Sequence, residues 1–187
     1  MPGWRICMIS KKNMIDNRLI IIALIIFAIL SRFAPHPLNF TPIGALGLFA
    51  GAYIVDRRVW LLPLCALLLS DIFVGFYEPI AMLFVYLGFA LSVFIGRFVL
   101  FEKRSTFRLG GAALISATLF FIVSNFGTWL TGALYPVSFA GLIECYVMAI
   151  PFYGNTLMGD LFYVVLLFGL FETTQVWIQK KNVTQIA

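Results

Sequence analysis

The chain has 187 residues, 62% of them hydrophobic and only 11% charged, with a formal net charge of +5. A water-soluble domain keeps about 25% charged residues, so this composition excludes a soluble globular protein and leaves an integral membrane protein with room for one compact bundle. The positive charge does not point to nucleic acid, because the basic residues lie between apolar runs, where membrane topology puts them.

Residues 1–13 read as a polar cytoplasmic leader, 14–181 as a single transmembrane domain and 182–187 as a cytoplasmic tail, with Met14 an alternative start. The first apolar segment runs from Leu19 to Ala34 and is followed by "SRFAPHP", which is no small-residue cleavage site, so it is expected to be a membrane span and not a signal peptide. The second, Pro42 to Val55, is opened by "TP": Thr41 is expected as an N-cap and Pro42 at the first helical position. The third is Val59 to Phe76, the fourth Pro79 to Leu100, the fifth Leu109 to Leu134 and the sixth Gly154 to Ile178. Between the last two lies Ser138 to Ile150, which spans only about 20 Å as a helix against a hydrocarbon core of about 30 Å. It is expected as a separate re-entrant or surface-lying helix. Pro63 and Pro151 are expected to kink or end helices.

Lys and Arg set the orientation. With the N-terminus inside, Arg5, Lys11, Lys12, Arg18, Arg57, Arg58, Arg97, Lys103, Arg104, Arg108, Lys180 and Lys181 are cytoplasmic, and Arg32 stands alone outside. Such asymmetry fits six spans with both termini in the cytoplasm. The expected fold is therefore all-α: a six-transmembrane-helix bundle with an extra short element between the fifth and sixth helices. The outer loops are rich in apolar and aromatic residues, and are expected to fold down onto the bundle as a lid.

Polar residues gather at the outer end. At 1.5 Å per residue, Asn125 lies roughly 24 Å up the fifth segment, Asp71 roughly 18 Å up the third, and Asp160 roughly 9 Å down the sixth. A carboxylate in lipid is costly, so Asp71 and Asp160 should face the bundle interior. Thr156, Asp160 and Tyr163 share one helix face, with Asn155 beside it; Ser124, Asn125, Thr128 and Trp129 share another. Interhelical glue and aromatic-belt anchoring explain such residues singly; their collection at one end favours an outward-facing pocket. Cys7, Cys65 and Cys145 are scattered without a CxxC pair, so no metal knuckle is expected. Gly44, Gly47 and Gly51 form a stripe on which another helix, expected to be internal, can approach closely.

The blocks "PHPLNFTPIGALGLFAGAY", "LLLSDIFVGFY", "SNFGTWLTGALYP" and "CYVMAIPFYGNTLMGDLFY" resemble DUF6580, a family of small bacterial membrane proteins of unknown function associated with the substrate-binding S components of energy-coupling-factor (ECF) transporters. The resemblance covers residues 18–172. It implies six helices, a site toward the outer face under the loops after helices one, three and five, and capture of a vitamin-like nutrient in the bacterial inner membrane. It also implies a transmembrane scaffold and ATPase subunits as partners. The Ala-x-x-x-Ala docking pattern of S components is not matched, since Ala23 and Ala28 are five apart.

The expected function is that of a membrane-embedded substrate-binding subunit for uptake of a small nutrient. Asn125, Thr128 and Trp129 would orient and stack the ligand. Asp71, Asn155, Asp160 and Tyr163 would supply hydrogen bonds or hold the helices around it. Asn39 would close over the site, with His36, Tyr135 and Glu144 in the lid. No metal or cofactor is called for, and no Walker motif or nucleophile–base pair marks an enzyme. The alternatives are a solitary ion- or proton-coupled carrier titrating Asp71, Glu144 and Asp160, and a structural membrane protein.

Overall fold

The computed structural model describes residues 37–54 and 58–184, together with residues 23, 26, 27, 30, 31 and 35. The first apolar segment, Arg32 and His36 therefore lie largely or wholly outside the described residues. Among the described residues every regular element is helical: α1 (Ile43–Tyr53), α2 (Leu61–Val74), α3 (Pro79–Ile95, continued by a π turn Gly96–Leu100), α4 (Thr106–Leu130) and α5 (Phe139–Thr184). The runs Pro79–Leu100, Thr106–Leu130 and Phe139–Thr174 are long and apolar enough to cross a membrane. The chain is a membrane protein by that criterion. Its outward rings agree: Phe107 is 91% exposed and Phe98 83% exposed, an arrangement that water would penalise and acyl chains would not.

Helix α1 is the axis of the bundle. Residues Ile43 to Ala52 are all buried, so its sequence shows no polar face. One side packs Leu48, Phe49 and Ala52 against Val164, Leu167 and Phe168 of α5. The other side packs Ile43, Leu46 and Ala50 against Leu62, Ala66 and Leu67 of α2, with Phe89 and Phe120 closing the cluster. The glycine stripe is what permits this: a Cβ at Gly47 would collide with Ser92, and one at Gly51 would collide with the Val93 carbonyl and lie 2.8 Å from the Arg97 amide. The stripe thus serves an internal contact, as expected. Gly96 completes it from the other side, seated on the backbone of Leu48.

At 11 residues, α1 rises only about 16 Å, so both of its ends lie within the bundle and their backbone groups need partners. Thr41 is not the N-cap that the "TP" pair predicts: Pro42 holds that position and no side chain of its own segment caps the helix. The cap comes from α5. Asp160, 3% exposed, accepts a hydrogen bond from the Ala45 amide at the third helical position and another from the Ser116 hydroxyl of α4. That is the bond a local Ser or Asp cap would make, and it puts a carboxylate at the positive end of the helix dipole. A Cβ at Gly44 would strike that carboxylate. At the opposite end, Arg104 donates to the Ala52 carbonyl (3.0 Å) and to the Phe101 carbonyl (3.1 Å). Arg97 reaches the Ile54 carbonyl at 3.3 Å. Arg104 also stacks over Tyr53, whose hydroxyl donates to Glu172 at 3.0 Å.

The segment Ser138–Ile150 is not a separate short helix. From Phe139 onward it forms the first turns of α5, which runs unbroken through Pro151 for 46 residues. Proline in a helix interior forfeits one backbone bond, and contacts to α4 on both sides hold the helix continuous. Tyr146 donates to the Ile122 carbonyl (2.7 Å), the Cys145 thiol points to the Asn125 carbonyl (3.4 Å), and the Tyr153 and Thr118 hydroxyls are 3.0 Å apart. Pro63 ends or kinks nothing either, since it lies in the first turn of α2, where its missing amide has no helical partner to lose.

Candidate functional site

A two-lobed cleft lies beside the N-terminal end of α1. The larger lobe is about 260 Å³ and is walled by Ile43, Leu67, Val85, Phe89 and Phe120, with Thr41 and Tyr77 at its polar edge. The smaller lobe is about 170 Å³, and its polar wall comes from Ser124, Asn125 and Thr128 of α4 and from Tyr153 and Thr156 of α5. Asn39, Val85 and Phe120 border both lobes, so the two are compartments of one space. A cavity of about 150 Å³ holds a benzene ring, and drug-sized ligands need about 300 Å³ or more. Each lobe on its own is therefore sized for a group of about one or two rings.

The loop that carries Asn39 is a tight turn. The Phe40 amide donates to the Pro37 carbonyl (3.0 Å) and the Thr41 amide to the Asn39 carbonyl (3.1 Å). Asn39 has φ of 65°, a left-handed conformation that Asn tolerates better than most side chains. Phe40 then packs on Phe162 and Tyr163, with ring centroids 5.8 and 5.6 Å away, which ties the turn to α5.

The residues singled out from the sequence separate into two groups. Asn39, Asn125 and Thr128 border the cleft, as do Ser124 and Thr156 from the same two helix faces. Asp71, Trp129, Asn155, Asp160, Tyr163, Tyr135 and Glu144 do not line either lobe. Asp71, 1% exposed, accepts from the Tyr86 hydroxyl at 2.7 Å and joins α2 to α3. Asp160 caps α1. Trp129 turns its indole N–H to the Pro136 and Ser138 carbonyls, 3.2 Å each, and so fastens the α4–α5 connection. Tyr163 belongs to the aromatic cluster with Phe40 and Phe27. Asn155 is half-buried on α5, Tyr135 half-buried in the connection, and Glu144 is exposed on the first turns of α5. The loop between α4 and α5 is therefore short, residues 131–138, and the expected long lid of that region is mostly helix. Val85, Phe121, Tyr77 and Tyr153 were not marked by sequence reasoning. Tyr153 could have been found, because it stands three residues before Thr156 on the same helical face; dividing the segment at Pro151 and Gly154 hid that spacing.

Among the described residues no group of three or more His, Cys, Asp or Glu side chains comes together as a metal site. Cys65 is exposed on α2 and Cys145 is buried against α4.

The family model of DUF6580, a family of unknown function, matches residues 12–183. The chain belongs to the DUF6580 family. The match takes in all five described helices apart from the last residue of α5. No curated protein and no solved structure matches this DUF6580 chain. Membership of DUF6580 brings no reaction or cargo with it, and the cleft's own side chains carry the functional reading.

Proposed function

We propose that this DUF6580 protein is a membrane-embedded binding subunit that captures a small nutrient for uptake, in the manner of an ECF S component. The observation that carries the reading is the unequal filling of the bundle. Around the Asn39 turn the helices leave a cleft lined by amides, hydroxyls and aromatic rings. At the other end of α1 the space is filled by Phe49, Tyr53, Phe168 and Phe171, whose ring centroids lie 4.5 to 5.5 Å apart in their closest pairings. Arg97, Arg104 and Arg108 stand at that filled end, and the positive-inside rule turns it to the cytoplasm. The cleft then opens outward, with six spans and both termini inside. A small pocket with a few convergent polar groups at one end of a helix bundle is the usual form of a small-molecule site.

Mass spectrometry of small molecules co-purifying in detergent, with thermal-shift screening of a nutrient library, tests the proposal. A specific compound should raise the unfolding midpoint of the wild-type protein and not that of Asn125→Ala. A library in which nothing stabilises the protein, with no co-purified molecule, overturns it. The ion-coupled alternative draws on the buried carboxylates. It requires Asp160→Asn to abolish pH-dependent uptake, whereas a capping role for Asp160 leaves ligand affinity intact in that variant.

A further inference from the structure

The small lobe's hydrogen-bonding groups can be counted proton by proton. The Ser124 hydroxyl donates to the Phe120 carbonyl at 2.7 Å, Thr128 to the Ser124 carbonyl at 3.1 Å, and Thr156 to the Phe152 carbonyl at 3.0 Å. A carbonyl cannot donate, so the direction of each bond is fixed, and each hydroxyl has spent its only proton on its own helix. Tyr153 is settled one step further out. Its partner Thr118 gives its proton to the Leu114 carbonyl at 2.8 Å. In the 3.0 Å contact between the two hydroxyls, Tyr153 must then be the donor. Asn125 donates one amide proton to the Phe121 carbonyl at 2.8 Å, which fixes its orientation and leaves one N–H and the Oδ1 lone pairs.

The polar wall from α4 and α5 thus offers oxygen lone pairs at Ser124, Thr128, Tyr153, Thr156 and Asn125 against one remaining N–H, and the Asn39 carboxamide at the border with the larger lobe adds one acceptor and an NH2 group, so acceptor atoms outnumber donor hydrogens. Phe120, Phe121 and Phe152, with Val85, supply the apolar part of the wall, and the faces of aromatic rings also attract positive charge. We infer that the small lobe recognises a hydrogen-bond donor: the amino or ammonium nitrogen of a small ring-bearing ligand. Away from the two carboxamides, an anionic or carbonyl-rich group would meet lone pair against lone pair there and lose the water that solvates it in bulk. The inference rests on the binding reading above and narrows it to a substrate class.

Binding of four single-ring probes to the purified full-length protein tests it. Benzylamine (a cation) and aniline (a neutral donor) make one arm; benzoate and acetophenone, which only accept, make the other. Both amines should bind about tenfold more tightly than either acceptor, the size of one well-made hydrogen bond with some charge assistance. A preference for benzylamine assigns the lobe to an ammonium group, and a preference for aniline assigns it to a neutral amine. Thr128→Val and Thr156→Val keep side-chain shape and remove an acceptor, and should each weaken amine binding about three- to tenfold. Among the described residues neither hydroxyl bonds to another helix, so both variants should fold, with unliganded unfolding midpoints unchanged. Thr173→Val, which removes the same kind of self-helix bond at an exposed position, should leave amine affinity unchanged. Equal or tighter binding of benzoate or acetophenone overturns the donor assignment, as does undiminished amine affinity in both cleft variants. If the nutrient screen finds a ligand that only accepts, the donor assignment falls and the uptake reading stands; if neither screen nor probes give any binder, both fall.

Discussion

The two ends of α1 solve one problem in opposite ways. Each ends inside the bundle and exposes backbone groups that lipid cannot satisfy, and each is met by ionisable side chains from elsewhere in the chain: Asp160 of α5 at one end, Arg97 of the π turn and Arg104 of the loop before α4 at the other. At the arginine end, Arg97 and Arg104 take the carbonyls, and Tyr53 and its neighbours fill the remaining space. At the other end Asp160 takes the amide, but the adjoining space is left open and lined with neutral polar groups. The difference teaches that the ionisable groups around α1 hold the central helix and do not line the cleft. The cleft is built from uncharged amides, hydroxyls and rings, which can bind a solute without the desolvation cost of a buried ion.

The largest effect should come from breaking the contact that both ends depend on. Gly51→Leu would force a side chain into the Val93 carbonyl and Arg97 amide. Backbone atoms cannot turn aside as a side chain can, so the cost should be about 3 kcal/mol or more, read as a steep fall in the thermal midpoint in detergent and loss of monodispersity. A midpoint like that of wild type would mean that α1 and α3 do not approach so closely. Next is the filled end itself. Arg104→Met leaves the Ala52 carbonyl without its donor and should cost about 2 kcal/mol. Arg104→Lys keeps the charge but loses the planar fork that serves several carbonyls and the Tyr53 ring, so it should fall between the two. An Arg104→Met protein as stable as wild type would remove the plug from the comparison.

At the open end the expected loss is smaller. Asp160→Ala removes the cap from α1 and should cost about 1–2 kcal/mol, while Asp160→Asn retains an acceptor and should lose about half of that. Parallel thermal melts of the two variants check it. If Asn is no better than Ala, the bond to the Ala45 amide is not what Asp160 contributes.

The order of these effects shows what the sequence could reveal. Four of the five described helices were legible from apolar runs and turn residues, because span length and composition are local properties. The close approach at Gly44, Gly47 and Gly51 was legible from their spacing, though which helix makes it was not. The clustering of polar residues at one end was legible too, but their roles were not. Depth along a helix follows from counting at 1.5 Å per residue, whereas the direction a side chain faces depends on which neighbour packs there. Asp160 and Asn125 were estimated to lie at the same end; one is a structural cap and the other borders the cleft. The continuity of α5 was hidden for a similar reason. Pro151 and Gly154 are local signals to stop, and they are overruled by contacts to α4 that lie some 20 to 35 residues away in the chain.

The smallest effect on stability should accompany the largest effect on binding, and Asn125 is where the two separate. Its amide donates to the Phe121 carbonyl of its own helix, a carbonyl that already serves the helical ladder, so Asn125→Ala breaks no link between helices. Replacing Asn by Ala in a helix also gains some propensity. The unliganded midpoint should therefore move by less than the equivalent of about 0.5 kcal/mol. The same change removes an N–H and an acceptor from the polar wall of the small lobe, and ligand-induced stabilisation should vanish. Equilibrium binding and thermal melts on one preparation separate these outcomes. A variant that loses both stability and binding would make Asn125 another strut like Asp160, and the contrast between a charged frame and a neutral cleft would no longer hold.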